Sequence, residues 1–155
     1  MTVISPPQAL ADSNLLLRGA QPTHPLFPVA DAAVAKLRLR GEVVNACPQN
    51  VTEFWAVATR PVAANGLGFT TAKADAELSR ILGLFPLLDD MPAILPIWRR
   101  LVVGAGVSGK QTHDARLLAV ALAHGVTRLL TFNVTDVTRF AGFAPTVQIV
   151  DPNTV

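Results

Sequence analysis

Between Thr112 and Val137 the chain reads THDARLLAVALAHGVTRLLTFNVTDV. The stretch sets a carboxylate, Asp114, at the mouth of an expected helix. A short apolar strand follows, and Asn133 and Asp136 come just after it. Two carboxylates from earlier in the chain, Asp12 and Glu53, are candidates to complete an acidic site. Oxygen donors of this kind, with no paired His or Cys beside them, suit a hard divalent cation such as Mg²⁺ or Mn²⁺. Carboxylates that converge repel one another and lose hydration, so their pKa values rise unless a cation sits among them. Such a cation can activate water and neutralise charge on a phosphoryl group, which makes phosphodiester hydrolysis the expected reaction class. That chemistry needs no Ser, Cys or Thr nucleophile.

The acids meet only if the elements around them place them on one edge. Gln8 to Ala11 reads as a short strand ending at Asp12, limited upstream by Pro6 and Pro7, which offer no ladder donor. Ser13 and Asn14 are candidate caps for a turn of helix through Leu15, Leu16 and Leu17. Val29 to Arg40 is an amphipathic helix closed by Gly41, and Glu42 to Cys47 a second strand. Pro48 suits the first position of a helix running to Thr59, on which Val51, Phe54, Trp55 and Ala58 form one stripe. Glu53 points away from that stripe, but towards a face that carries Ala56 and Val57.

After a loop from Pro61 to Phe69, helices are expected over Thr71 to Leu84 and Pro92 to Val103, the second kinked or shortened by Pro96. A helix from His113 to His124, closed by Gly125, then leads to strands at Thr127 to Phe132 and Val147 to Val150. Strands alternating with helices argue for an α/β domain with a mainly parallel central sheet. In such a sheet, strand C-termini and helix N-termini share one edge, and all five candidate residues fall there. Asp114 begins the buried face of its helix, since Leu117, Leu118, Ala121 and Leu122 stand above it at helical spacing.

Composition narrows the class. A chain of 155 residues is the size of one domain. Only 15% of residues are charged, against about 25% in typical soluble domains, so some apolar surface is expected to face a partner. The longest apolar run, Leu117 to Ala123, is far below the roughly 20 residues of a membrane-spanning helix. The N-terminus lacks the features of a secretory signal, and the single Cys47 cannot form an internal disulfide, so a cytoplasmic location is expected. A net charge of +2 is compatible with a polyanionic partner without requiring one.

Each candidate also has an ordinary explanation. Asp12 and Asp136 suit helix caps, Asp114 a helix dipole, Glu53 an ordinary helix position and Asn133 a turn. His113 and His124 read as a loop residue and a helix-end cation, and Cys47 as a small buried side chain. Arg18, Lys110, Arg116 and Arg139 lie near the expected edge and are candidate contacts for the phosphates of a polyanionic partner. Gly104 to Lys110, GAGVSGK, matches part of a phosphate-binding loop. However, Gln111 stands where that motif needs a hydroxyl, and a helix precedes it where the motif needs a strand.

Four segments in order, ADSNLLLR, NVTEFWAVATRP, GVSGKQTHDARLLAVALAHGV and LLTFNVTDV, together resemble the PIN-domain ribonucleases, and within them the VapC-type toxins of bacterial toxin-antitoxin systems. The resemblance runs from about Ala9 to Pro152. It implies a three-layer α/β/α PIN-like domain spanning residues 1–155 and a Mg²⁺- or Mn²⁺-dependent endoribonuclease activity. In the family's pattern Asp12, Glu53 and Asp114 match the metal-holding acids. The fourth position is left between Asn133 and Asp136. A homodimer and a small antitoxin partner are further implications. Two departures stand out: PPQALAD is poor in β-branched residues, and no aromatic residue follows Asp136. The competing expectation is a catalytically inactive PIN-like module that binds RNA or protein. A phosphoacceptor domain is disfavoured, because Ser13 and Asn14 follow Asp12 where such domains carry a second acid.

Overall fold

The computed structural model describes residues 3–155. Four strands, β1 (Gln8–Ala11), β2 (Val43–Asn45), β3 (Arg128–Leu130) and β4 (Gln148–Val150), form one parallel sheet in the order β2-β1-β3-β4. Ala9 pairs with Val44 on one side and Arg128 on the other, so β1 is central. Parallel strands need crossovers, and the helices that supply them cover both faces. They are α1 (Ser13–Gly19), α2 (Phe27–Leu39), α3 (Pro48–Thr59), α4 (Thr71–Leu84), α5 (Ile94–Gly104), α6 (Gln111–Ala123) and α7 (Val134–Thr138).

Side-chain alternation divides the core into two layers. Ala9 and Ala11 of β1 pack with Leu15, Leu16, Val34, Phe54 and Ile81 on the α1–α4 side. Leu10 faces Leu101, Leu117, Leu118 and Phe140 on the α5–α7 side. This is the expected α/β/α arrangement. β1 is thus buried on both faces although it is short of β-branched residues.

The bounds of β1, α3 and α4 agree with the sequence reading, and the other elements differ at their ends. β2 is shorter than Glu42 to Cys47, with Ala46 instead bridging Leu87. α2 starts at Phe27, which puts Pro28 in its first turn. α5 starts at Ile94, so Pro96 also lies in the first turn, where its missing N–H breaks no intrahelical bond and no kink is needed. The glycines expected to end α2 and α6, Gly41 and Gly125, both take left-handed backbone, with φ of 82° and 66°. No helix among the described residues is long and apolar enough to cross a membrane.

Candidate acidic site at the strand ends

Asp12 leaves the end of β1 and caps α1, so one residue serves both the strand edge and the helix start. Its N–H donates to the Leu130 carbonyl at 2.9 Å, the last link between β1 and the end of β3. Its Oδ1 accepts from the Ser13 N–H at 2.6 Å. Its Oδ2 accepts from the Thr131 hydroxyl at 2.7 Å and the Asn14 amide at 3.3 Å. Ser13 and Asn14 are therefore the first residues of the capped helix rather than its caps. Burial drives the Asp12 pKa up, as does the charge of Glu53, while the bonds from Thr131, Ser13 and Asn14 oppose the rise.

Glu53 arrives from the middle of α3. That helix is fixed by Pro48 at its first turn and by Asn50, whose Oδ1 accepts from the Cys47 N–H at 2.8 Å. The Glu53 carboxylate accepts from the Ser13 hydroxyl at 2.5 Å and from the Gln49 amide at 2.7 Å. The same Gln49 amide reaches the His113 carbonyl at 2.8 Å, so it ties α3 to the start of α6.

Asp114 lies in the first turn of α6. No hydrogen bond to its carboxylate occurs among the described residues. Its pKa is pushed up to about 6, first by burial, then by the charges of Asp12, Asp136 and Glu53, with His113 opposing. This predicts a pH-dependent stability for the metal-free protein. Between the ordinary Asp value of 3.8 and about 6 the folded state binds more protons than the unfolded one. Stability therefore falls as pH rises through that window and is level above it. Asp114→Asn, measured by thermal unfolding in EDTA, should gain about 1 kcal/mol at pH 7 after allowance for solvent screening. The gain should vanish on acidification below pH 3.8.

Asp12, Glu53, Lys110, His113, Asp114 and Asn133 line one open pocket of about 400 Å³, together with Ser13, Asn14 and Arg60. The pocket thus takes in Asn133, whereas Asp136, in the first turn of α7, is not among its lining residues and acts on Asp114 through its charge. Of the four expected cations the pocket includes Lys110. Arg18 is bonded to Gln21 at 2.8 Å, and Arg139 to Gln111 and to the Ala105 carbonyl. Arg116 pairs with Asp90 at 3.0 Å and donates to the Gln49 Oε1 at 3.2 Å, so it steadies the residue that holds Glu53. Cys47 is buried, as expected, and burial raises its thiol pKa to about 11.

Several contributors escaped the sequence reading. Ser13 links Asp12 to Glu53, and Thr131 holds Asp12 while accepting from Asn14 and from the Asn133 N–H at 3.0 Å. A hydroxyl just past β3 was the available signal. Thr131→Val should leave the Asn133 N–H without its acceptor and Asp12 with one donor fewer, and lose about 1–3 kcal/mol in urea unfolding.

The oxygen-only donor set suits a hard divalent ion. As the side chains stand, no three His, Cys, Asp or Glu among the described residues are grouped closely enough to hold one. Asp12 and Glu53 are held by protein hydrogen bonds, and of these three acids Asp114 is the one without such a bond among the described residues.

No family model matches the sequence, and none of the curated proteins does. The fold, however, has close counterparts among solved structures. VapBC2 from Rickettsia felis, bound to a promoter DNA fragment, superposes with a TM-score of 0.68 at 11% identity, covering 93% of this chain and 98% of that one. FitAcB from Neisseria gonorrhoeae gives 0.67 at 17% identity, covering 95% and 99%. VapC20 from Mycobacterium tuberculosis, a toxin that cleaves the sarcin-ricin loop, gives 0.57 at 14% identity, covering 78% and 86%. The chain has the fold of the VapC-type PIN domain that these toxin-antitoxin structures represent.

Proposed function

We propose that this protein is a Mg²⁺- or Mn²⁺-dependent endoribonuclease and the toxin of a toxin-antitoxin pair. The observation that carries this reading is the arrival of Asp12, Glu53 and Asp114 from three separate elements at the wall of one pocket. Burial and mutual repulsion at Asp12 and Asp114 are the electrostatic signature of a site short of positive charge. A divalent ion bound there would supply Lewis-acid stabilisation of a phosphoryl oxygen and acidify a water molecule.

The chain's own residues have distinct parts. Asp114, without a hydrogen-bond partner among the described residues, offers its carboxylate directly. Asp12 is held in place by Thr131 and the start of α1, and Glu53 by Ser13 and Gln49. Asn133 supplies a neutral amide at the rim, with Asp136 as the acidic alternative for the fourth position. Lys110 gives a cation for an RNA phosphate on the same wall. Arg18, Arg116 and Arg139 are further RNA contacts only if they release their present partners.

The test is cleavage of a mixed-sequence RNA by purified protein. Cleavage that requires Mg²⁺ or Mn²⁺ and stops in EDTA is the expected result. The absence of divalent-dependent products would overturn the nuclease reading. The toxin assignment rests on the likeness to the VapBC2 and FitAcB structures, and with it come a small antitoxin partner and a homodimer. A short upstream reading frame for a DNA-binding protein should adjoin the gene.

A second reading, an inactive module that binds RNA or protein, has one observation in its favour: the oxygens of Asp12 and Glu53 are already engaged within the protein. It predicts RNA or protein association without turnover and no heat on titration with Mn²⁺.

A further inference from the structure

The segment after α3 does something that neither the fold nor the acids require. α3 ends at Thr59, and the chain then turns through Pro61 and a short 3₁₀ segment, Val62–Ala64, before folding back onto the last turn of the helix. Leu67 donates to the Val57 carbonyl at 3.0 Å, Phe69 to that of Ala58 at 2.8 Å, and Gly68 to that of Arg60 at 2.9 Å. The carbonyls that a helix C-terminus leaves without partners are thus taken up by its own following loop. Gly66 makes the return possible. A Cβ there would lie 2.0 Å from the Arg60 carbonyl oxygen, so backbone packs directly on backbone. The loop is a clamp, and what it fixes is the backbone of Arg60.

Arg60 lines the acidic pocket with an exposed side chain. Among the described residues its guanidinium has no hydrogen bond or ion pair. Arg18, Arg116 and Arg139, in contrast, are committed to protein partners. An arginine presented on a fixed backbone, without a partner, beside a pocket of acids is suited to a planar two-point contact with an anionic ligand. The acids are not that ligand's attraction; they repel it. A ligand that enters must therefore carry its negative charge to the rim.

We propose that Arg60 is a substrate-binding residue that grips an RNA backbone phosphate flanking the acidic pocket, held in position by the loop from Pro61 to Phe69. This rests on the nuclease reading for its substrate, but the experiment separates the two. Binding of a short single-stranded RNA is measured against salt concentration in the Asp114→Asn background with Mg²⁺ present, where turnover is not needed for the readout.

Arg60→Gln should weaken binding several-fold at low salt and flatten the logarithmic salt dependence by about 0.7, the loss of one phosphate contact to a single strand. Arg60→Lys should restore the slope and recover part of the affinity. Arg99→Gln, an exposed arginine of α5 outside the pocket, should bind like the parent background. With Asp114 intact, Arg60→Gln should raise KM more than it lowers kcat.

A salt slope unchanged by Arg60→Gln, or a background protein that binds no RNA, would overturn the proposal. A protein that binds RNA with the expected slopes but never cleaves it would instead overturn the nuclease reading and leave Arg60 as assigned. Thermal unfolding of each variant, expected to match the parent background, separates a lost contact from a lost fold.

Discussion

Asp114→Ala should reduce divalent-dependent RNA cleavage by at least roughly a hundredfold, the scale on which removal of one preorganised electrostatic group slows an enzyme. The expectation is strongest at Asp114 because its carboxylate has no protein hydrogen bond to lose among the described residues. Substitution there removes charge from the pocket without releasing a structural partner. Asp12→Ala should be comparably inactive but for mixed reasons: it also strips the cap from α1 and leaves the Thr131 hydroxyl and the Ser13 N–H without their acceptor. Comparing the two variants therefore separates chemistry from scaffold. Asp114→Ala should remain folded with a thermal midpoint at or above the parent's in EDTA, while Asp12→Ala should unfold earlier. If Asp114→Ala cleaved like the parent, the pocket would not be the site of hydrolysis.

Phe54→Ala should cost about 3–5 kcal/mol in urea unfolding, the usual range for removing a fully buried aromatic ring. Phe54 is completely enclosed on the α1–α4 side of the sheet and is the immediate neighbour of Glu53 on α3. It is the anchor that keeps Glu53 at the pocket. Against a typical domain stability of about 5–15 kcal/mol, such a loss leaves a substantial unfolded fraction on warming. Phe54→Leu, which fills more of the space, should lose less. A Phe54→Ala variant within about 0.5 kcal/mol of the parent would mean that α3 is not held as described, and that Glu53 has no fixed place.

Sequence and structure agree unevenly along the chain. Helices with a strong stripe and clear punctuation, α3 from Pro48 and α4 from Thr71, were legible to the residue. So were Asp12, Glu53 and Asp114 as neighbours, because a parallel sheet sends strand ends and helix starts to one edge. β1 was the weakest strand by composition yet is the central one. Local propensity undervalues Gln-Ala-Leu-Ala, whose strand conformation is set by pairing with β2 on one side and β3 on the other.

The α7 helix is five residues long and lacks the periodic stripe that would announce it, so Asp136 could not be separated from Asn133 in advance. Ser13, Thr131 and Gln49 act through contacts across 40, 119 and 64 positions of sequence, which no local pattern reports. Arg60 was hidden for a similar reason. Its placement depends on a loop that returns to the helix, and the only local trace of that return is a run of Asn65, Gly66 and Gly68.

The most direct test of the central claim is to locate the ion. A crystal of the protein grown with Mn²⁺ should show one or more anomalous peaks within ligand distance of the Asp114 carboxylate. The Asp12 and Glu53 carboxylates should turn towards the peak, and soaking with EDTA should remove it. A well-ordered pocket with no peak at saturating Mn²⁺, Asp12 still bonded to Thr131 and Glu53 to Gln49, would contradict the account.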